Sequence, residues 1–234
     1  MTNVGSVSPH QTRTLAKDVF ARMRADILAC ELRPGAPLRF ELLRDSYGAS
    51  FTTLREALTA LVAEGLVSVD TQPGFRVAPV TRADLIDLTE ARVLIERELL
   101  KLAMRNGGDD WQVATAAALH RMSLLQQRHE SPKLSLLPDY KAAHAAFHEA
   151  LIAPCAAPIL FGIRANLYAR AERYRSLSAI YRKVKRNKIE EHQLIMQVAF
   201  SRKVEKAQDL IEKHIRDTTT NLLHHAKDIL DKAQ

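Results

Sequence analysis

The sequence predicts a mainly α-helical chain made of two unlike parts. Three observations point that way. Residues 14–80 alternate short helical patterns with turn signals, whereas residues 82–230 keep a helical period almost throughout. Five of the eight glycines fall at or before Gly74, and only Gly107, Gly108 and Gly162 follow. The 234 residues, 47% of them apolar and 26% charged, are enough for two ordinary cores. The expected parts are an arm over 1–13, a mixed head over 14–80 and a helical body over 81–234.

The head opens on Leu15, Val19, Met23, Ile27 and Leu28, an apolar stripe that predicts a helix running to about Leu32. Arg33-Pro34-Gly35 stops it. A second short helix is expected over Glu41–Tyr47, and Gly48-Ala49 makes a tight turn. Ser50 can cap a third helix over Phe51 to about Glu64 by accepting a free backbone N–H. On it Leu54, Leu58, Leu61 and Val62 should face inward, and Thr52, Thr53, Arg55, Glu56 and Thr59 outward. Gly65 ends that helix. Leu66–Val69 and Phe75–Ala78 alternate as paired strands about a turn at Thr71-Gln72-Pro73-Gly74. Helix, helix, turn, helix, hairpin is the order of a winged helix-turn-helix. Its third helix can enter the major groove, where hydroxyls and an arginine suit phosphates and base edges.

In the body, Thr81 can cap a helix carrying Leu85, Leu88, Val93, Ile95, Leu99 and Leu102, which stops before Asn106-Gly107-Gly108. Further helices are expected over about 109–130, 138–153, 157–178, 184–201 and 203–230, with breaks at Ser131-Pro132 and Ala153-Pro154. Together they make an antiparallel bundle of about six helices.

Composition narrows the function classes. No stretch reaches the roughly 18 to 20 apolar residues of a membrane span, and the first residues lack the apolar segment of a secretory signal. The expected location is cytoplasmic. Cys30 and Cys155 are too few for a disulfide framework or an all-cysteine zinc site and read as small buried hydrophobes. Net charge is +7, which invites a polyanion. Residues 1–80, however, carry nine Lys/Arg against eight Asp/Glu. The excess lies between Arg164 and Lys188, with nine Lys/Arg against Glu172 alone, and reads first as a solvated helix face.

Histidines carry the chemical signal. His144 and His148 are four apart, so they share one helical face, bordered by Phe147 and Leu151. His192 and His214 border apolar stripes on two further predicted helices. Four neutral imidazoles turned to one spot would suit a divalent metal such as zinc or nickel. Isolated, each would be an ordinary hydrogen-bonded core histidine. Arg92 could grip a carboxylate with two parallel hydrogen bonds, or simply pair with Glu96. No nucleophile motif or phosphate-cradling loop is present, and no E-x-x-H pair of a di-iron bundle accompanies His192. An enzyme is therefore disfavoured.

PGAPL at 34–38, S-x-TTLREAL at 50–58, EGLV at 64–67 and GF-x-V at 74–77 resemble the DNA-binding domain of GntR-family bacterial transcription regulators. Arg92 with Glu96, the run Phe147-His148-x2-Leu151, Glu191-His192 and His214-Ile215 resemble the FCD ligand-binding domain of the FadR branch. AHAAFHEALIAPC is further similar to the carbon-starvation-induced regulators of that branch. The resemblance covers about residues 14–225. It implies a homodimer that binds a palindromic double-stranded DNA operator and is released by a small organic-acid effector, most often as a repressor. It implies DNA contacts from Ser50, Thr52, Thr53, Arg55 and the wing-tip Gly74, with Arg39 and Arg44 reaching phosphates. It implies a metal held by His148, His192 and His214.

Two positions depart from the family pattern. His144 stands where relatives carry an aspartate ligand, which implies either a four-histidine metal site or histidines that bond the effector directly. Phe51 stands where relatives usually carry arginine, so a guanine contact is lost or an apolar contact replaces it. The effector, with Arg92 as a contact, is expected in this pocket. The rival readings are a metal-dependent enzyme and a metal sensor.

Overall fold

The computed structural model describes residues 9–69, 74–129, 134–182 and 188–230. The chain divides into two compact units at Val80/Thr81.

In the first unit, α1 spans Pro9–Ala29, β1 Pro37–Leu38, α2 Phe40–Tyr47, α3 Phe51–Ala63, β2 Val67–Val69 and β3 Phe75–Val77. Residues 9–13, expected in an unstructured arm, therefore belong to the first helix. That helix stops at Ala29 rather than Leu32, because Cys30 adopts a left-handed φ of 64° and the Glu31 N–H turns back to the Asp26 carbonyl. Gly48 takes φ 63° between α2 and α3, a conformation costly for any residue with a side chain. Ser50, in extended conformation, then caps α3 by accepting the Thr53 N–H.

The hairpin pairs Val67 with Val77 and Val69 with Phe75. A third strand went unread in the sequence: β1 pairs antiparallel with β3, giving the sheet order β1-β3-β2. Two residues are too short a run for periodicity to register. Residues 70–73, which include Thr71, Gln72 and Pro73 of the expected turn, lie outside the described residues. Val19, Met23, Ile27, Leu54, Leu58 and Leu61 are fully buried and form the core with Leu38 and Val77. Leu15, expected in the stripe, is exposed.

The second unit is helical. It contains α4 (Arg82–Asn106), α5 (Asp109–Arg128), a 3₁₀ turn at Leu134–Leu136, α6 (Pro138–Ile152), a 3₁₀ turn at Ala153–Cys155, α7 (Pro158–Tyr181), α8 (Lys188–Phe200), α9 (Val204–His225) and α10 (Lys227–Leu230). Thr81 caps α4 through the Asp84 N–H at 3.0 Å, as its position suggests. The long final helix breaks at Ala226, and α7 runs three residues past its expected end. Ser131-Pro132 lies outside the described residues, as does the start of the helix expected from 184.

α4 packs on α7 and α9, and α5 on α6. Leu99, Leu100, Met122, Phe147, Leu151, Ile195 and Ile211 make the core. Trp111 is buried in it, its indole N–H donating to the Leu151 carbonyl at 3.1 Å. This packing turns the inner faces of α6, α8 and α9 toward one another. Cys155 is buried, and Cys30 is half-buried; both are free thiols.

Candidate functional site

His144 and His148 on α6, His192 on α8 and His214 on α9 converge. One ring nitrogen from each lies within 4.8 Å of the others, and all four residues are buried. Nε2 of His148 and Nε2 of His192 are 3.2 Å apart. That is close to the edge of about 3.3–3.4 Å in a tetrahedron built on zinc–nitrogen distances of 2.0–2.1 Å.

Three of the rings are held from behind. The Tyr168 hydroxyl lies 2.9 Å from Nδ1 of His144, and Glu191 Oε2 lies 3.0 Å from Nδ1 of His214. Nδ1 of His192 bonds the Lys188 carbonyl, which can only accept. A ring that donates Nδ1–H outward keeps its Nε2 lone pair for the cluster, as metal-ligating imidazoles do. Burial, followed by the neighbouring imidazoles, pushes the pKa of His144 and His148 well below the usual histidine range. Both are neutral at physiological pH, the form that binds metal. The donor set therefore fits a divalent cation, and the absence of a carboxylate from the inner set leaves the ion's full charge for an anion.

Beside the cluster lies a buried cationic shelf. Tyr168 on α7 has the guanidinium of Arg175 3.8 Å, Arg164 4.4 Å and Arg92 5.7 Å from its ring centre. Arg164 donates to Glu96 at 3.1 Å, and Arg175 to Glu172 at 2.6 Å and to the Tyr168 carbonyl at 3.0 Å. Arg92 is 3.8 Å from Glu96, beyond hydrogen-bond range, because Arg164 has taken that carboxylate. The Arg92–Glu96 helix ion pair is thus formed, but without a hydrogen bond. Burial, then the charge of Arg175, pulls the Arg92 pKa down to about 10, which still leaves it charged at neutral pH.

On this shelf Nε of Arg92, Nη2 of Arg164 and Nη1 of Arg175 are buried without a hydrogen-bond partner. Unpaired buried donors are costly and signal a missing acceptor. Within the basic run Arg164–Lys188, the helical part is accordingly not a solvated face, since Arg164 and Arg173 are buried and Arg175 is nearly so, while residues 183–187 lie outside the described residues. Sequence reasoning missed Arg164, Tyr168, Arg175 and Glu191. The available signal was the spacing of Arg164, Tyr168 and Arg175, which puts all three along one side of α7.

In the head, Arg39, Phe51, Thr52 and Arg55 are exposed at or near the first turns of α2 and α3, and Arg44 is exposed in the last turn of α2. Ser50 is exposed and caps α3. Gly74 is half-buried at the start of β3. Thr53 is a correction: it is buried, and its hydroxyl lies 2.9 Å from that of Ser50. It faces inward because the third residue of a capped helix lies under the capping side chain.

Residues 15–77 match the model for bacterial regulatory proteins of the gntR family, and residues 87–217 match the FCD domain. The second match alone spans more than half of the chain. The chain belongs to the GntR family. This GntR protein is 36% identical over 206 residues to the uncharacterized HTH-type transcriptional regulator BphR of Paraburkholderia xenovorans, covering 88% of this chain and 84% of that one. It is 33% identical over 202 residues to the HTH-type transcriptional repressor GlaR of Escherichia coli, covering 85% and 91%. Its fold matches E. coli McbR/YncC with a TM-score of 0.71 at 20% identity, over 93% and 98% of the two chains. It is a GntR-family transcription regulator with an FCD domain, not an enzyme. No helix among the described residues is long and apolar enough to cross a membrane.

Proposed function

We propose that this GntR regulator is a cytoplasmic homodimeric repressor whose heads bind a palindromic operator and whose bodies release it on binding a small carboxylate. His144, His148, His192 and His214 would hold a divalent cation, zinc or nickel by their chemistry. When bound, the cation supplies a Lewis-acidic point of attachment for a carboxylate. Arg92, Arg164 and Arg175 orient the same anion with their spare N–H groups, and Tyr168 fixes both the arginines and His144. The observation that carries this reading is the juxtaposition of four buried imidazoles with three buried, unpartnered guanidinium donors. Those donors favour an organic anion as the signal over the metal itself. Ser50, Thr52, Arg55, Arg39 and Arg44 supply the DNA-contacting face.

The test is elemental mass spectrometry of tag-free protein, with and without His148→Ala. About one zinc or nickel per chain is expected, lost in the variant. Binding to duplexes selected from a random library is then followed as carboxylic acids are added. Metal-free wild-type protein, or operator affinity untouched by every small acid, would remove the effector reading. Arg55→Ala should abolish selection of a common sequence while leaving metal content unchanged.

A further inference from the structure

Phe51, the first residue of α3, is 56% exposed, while its exposed neighbours Thr52 and Arg55 are polar. It is not a loose side chain. Its ring centre is 4.2 Å from that of Phe40 on α2, with 32° between the planes. Phe40 in turn meets Phe75 of β3 edge-on, at 6.0 Å and 74°. Phe40 and Phe75 are partly buried against the head core. Three elements thus build one aromatic ridge. It is rooted in the core and emerges at the N-terminal end of the helix that would enter the major groove.

A rigid apolar tip amid hydroxyls and guanidinium groups is too small for a protein-docking patch, which spans several hundred Å². At base edges in the major groove, the apolar feature is the 5-methyl group of a pyrimidine. We propose that Phe51, with Phe40 and Phe75 as positioning residues, makes this protein read a 5-methylpyrimidine in each half-site. This inference rests on the operator-binding reading above.

The experiment replaces thymines of the selected duplex one at a time by deoxyuridine, which removes only the methyl group. One position per half-site should lose about fourfold in affinity, the worth of one buried methyl, and both together about fifteenfold. Phe51→Ala should bind thymine and deoxyuridine duplexes alike. Phe40→Ala should show a reduced ratio, because the ring is no longer held. Phe51→Arg should shift the selected base to guanine, which arginine grips through O6 and N7.

If cytosine and 5-methylcytosine at that position differ as deoxyuridine and thymine do, the methyl is confirmed as the feature read. If instead no thymine position responds and 5-methylcytosine alone does, the source is methylated DNA. Equal losses in wild type and Phe51→Ala, or no loss in either, would overturn the inference while the operator reading stands. If no duplex is enriched, both fall together.

Discussion

The two units of this regulator place their chemistry in opposite ways. In the head, Arg39, Arg44, Phe51, Thr52 and Arg55 are exposed, and local devices orient them: a glycine turn at Gly48 and a serine cap at Ser50. In the body, His148, His192, Arg164 and Glu96 are almost wholly buried, and each depends on side chains from other helices. Polyanion recognition needs donors at a surface. Recognition of a small ion needs a dry, low-dielectric site in which few groups act strongly. Single changes among the head's exposed residues should therefore cost DNA binding more than stability, whereas changes in the body's buried site should cost both.

The sharpest way to break that contrast is Arg164→Ala. Arg164 is 1% exposed and pairs with Glu96, itself 3% exposed. Removing one partner of a buried pair costs about 3–5 kcal/mol, because the other charge is left without compensation. The chain has one tryptophan, Trp111, and it lies in the body. Its fluorescence during urea unfolding should report that loss. Arg164→Ala combined with Glu96→Gln should recover part of it. A double variant no better than the single would mean that Arg164 stabilises the body by packing on Tyr168, not by charge.

The same contrast decides what could be read from sequence. The head's order of elements was legible because capping, turn glycines and hairpin alternation are all local signals. Thr53 was misread because a cap fixes which residue lies under it, and periodicity alone does not. In the body, the helix order and the candidacy of the four histidines were legible, but their convergence was not. It needs α6, α8 and α9 to be brought together by packing between residues 70 apart in sequence. The arginine shelf was hidden for a different reason. Charge runs are usually solvated, and nothing local shows that Arg164 would find Glu96, 68 residues away.

Acid should separate the two units next. The folded pKa of His144 and His148 is pushed down by burial, while the unfolded value stays near 6.5. Above pH 6.5 both states are neutral and these groups are indifferent. As pH falls below 6.5 the unfolded chain takes up protons that the folded body refuses, so stability falls. Each imidazole contributes a loss of up to about 1.4 kcal/mol per pH unit over that window. Residues 14–80 contain no histidine, so the head's core has no counterpart to this cluster. The measurement is the urea midpoint of metal-stripped protein by Trp111 fluorescence from pH 7.5 to 5.5. A flat midpoint, or one that His144→Ala/His148→Ala leaves equally steep, would show that the histidine cluster is not what makes the body acid-sensitive.

The smallest effect tests whether the head's structural and contacting roles can be pulled apart at one residue. Ser50 caps α3 by accepting the Thr53 N–H at 3.3 Å, and it also stands exposed on the face assigned to DNA. Ser50→Ala removes the cap and should destabilise the head by about 1 kcal/mol, leaving the Trp111 transition of the body in place. Ser50→Asp restores an acceptor, and its charge suits the positive end of the helix, so stability should return. On the proposed DNA-contacting face that charge would meet the phosphates, and DNA affinity should fall further than in Ser50→Ala and most steeply at low salt. If both variants bind DNA like wild type, Ser50 serves the helix only, and the head's recognition begins at Phe51.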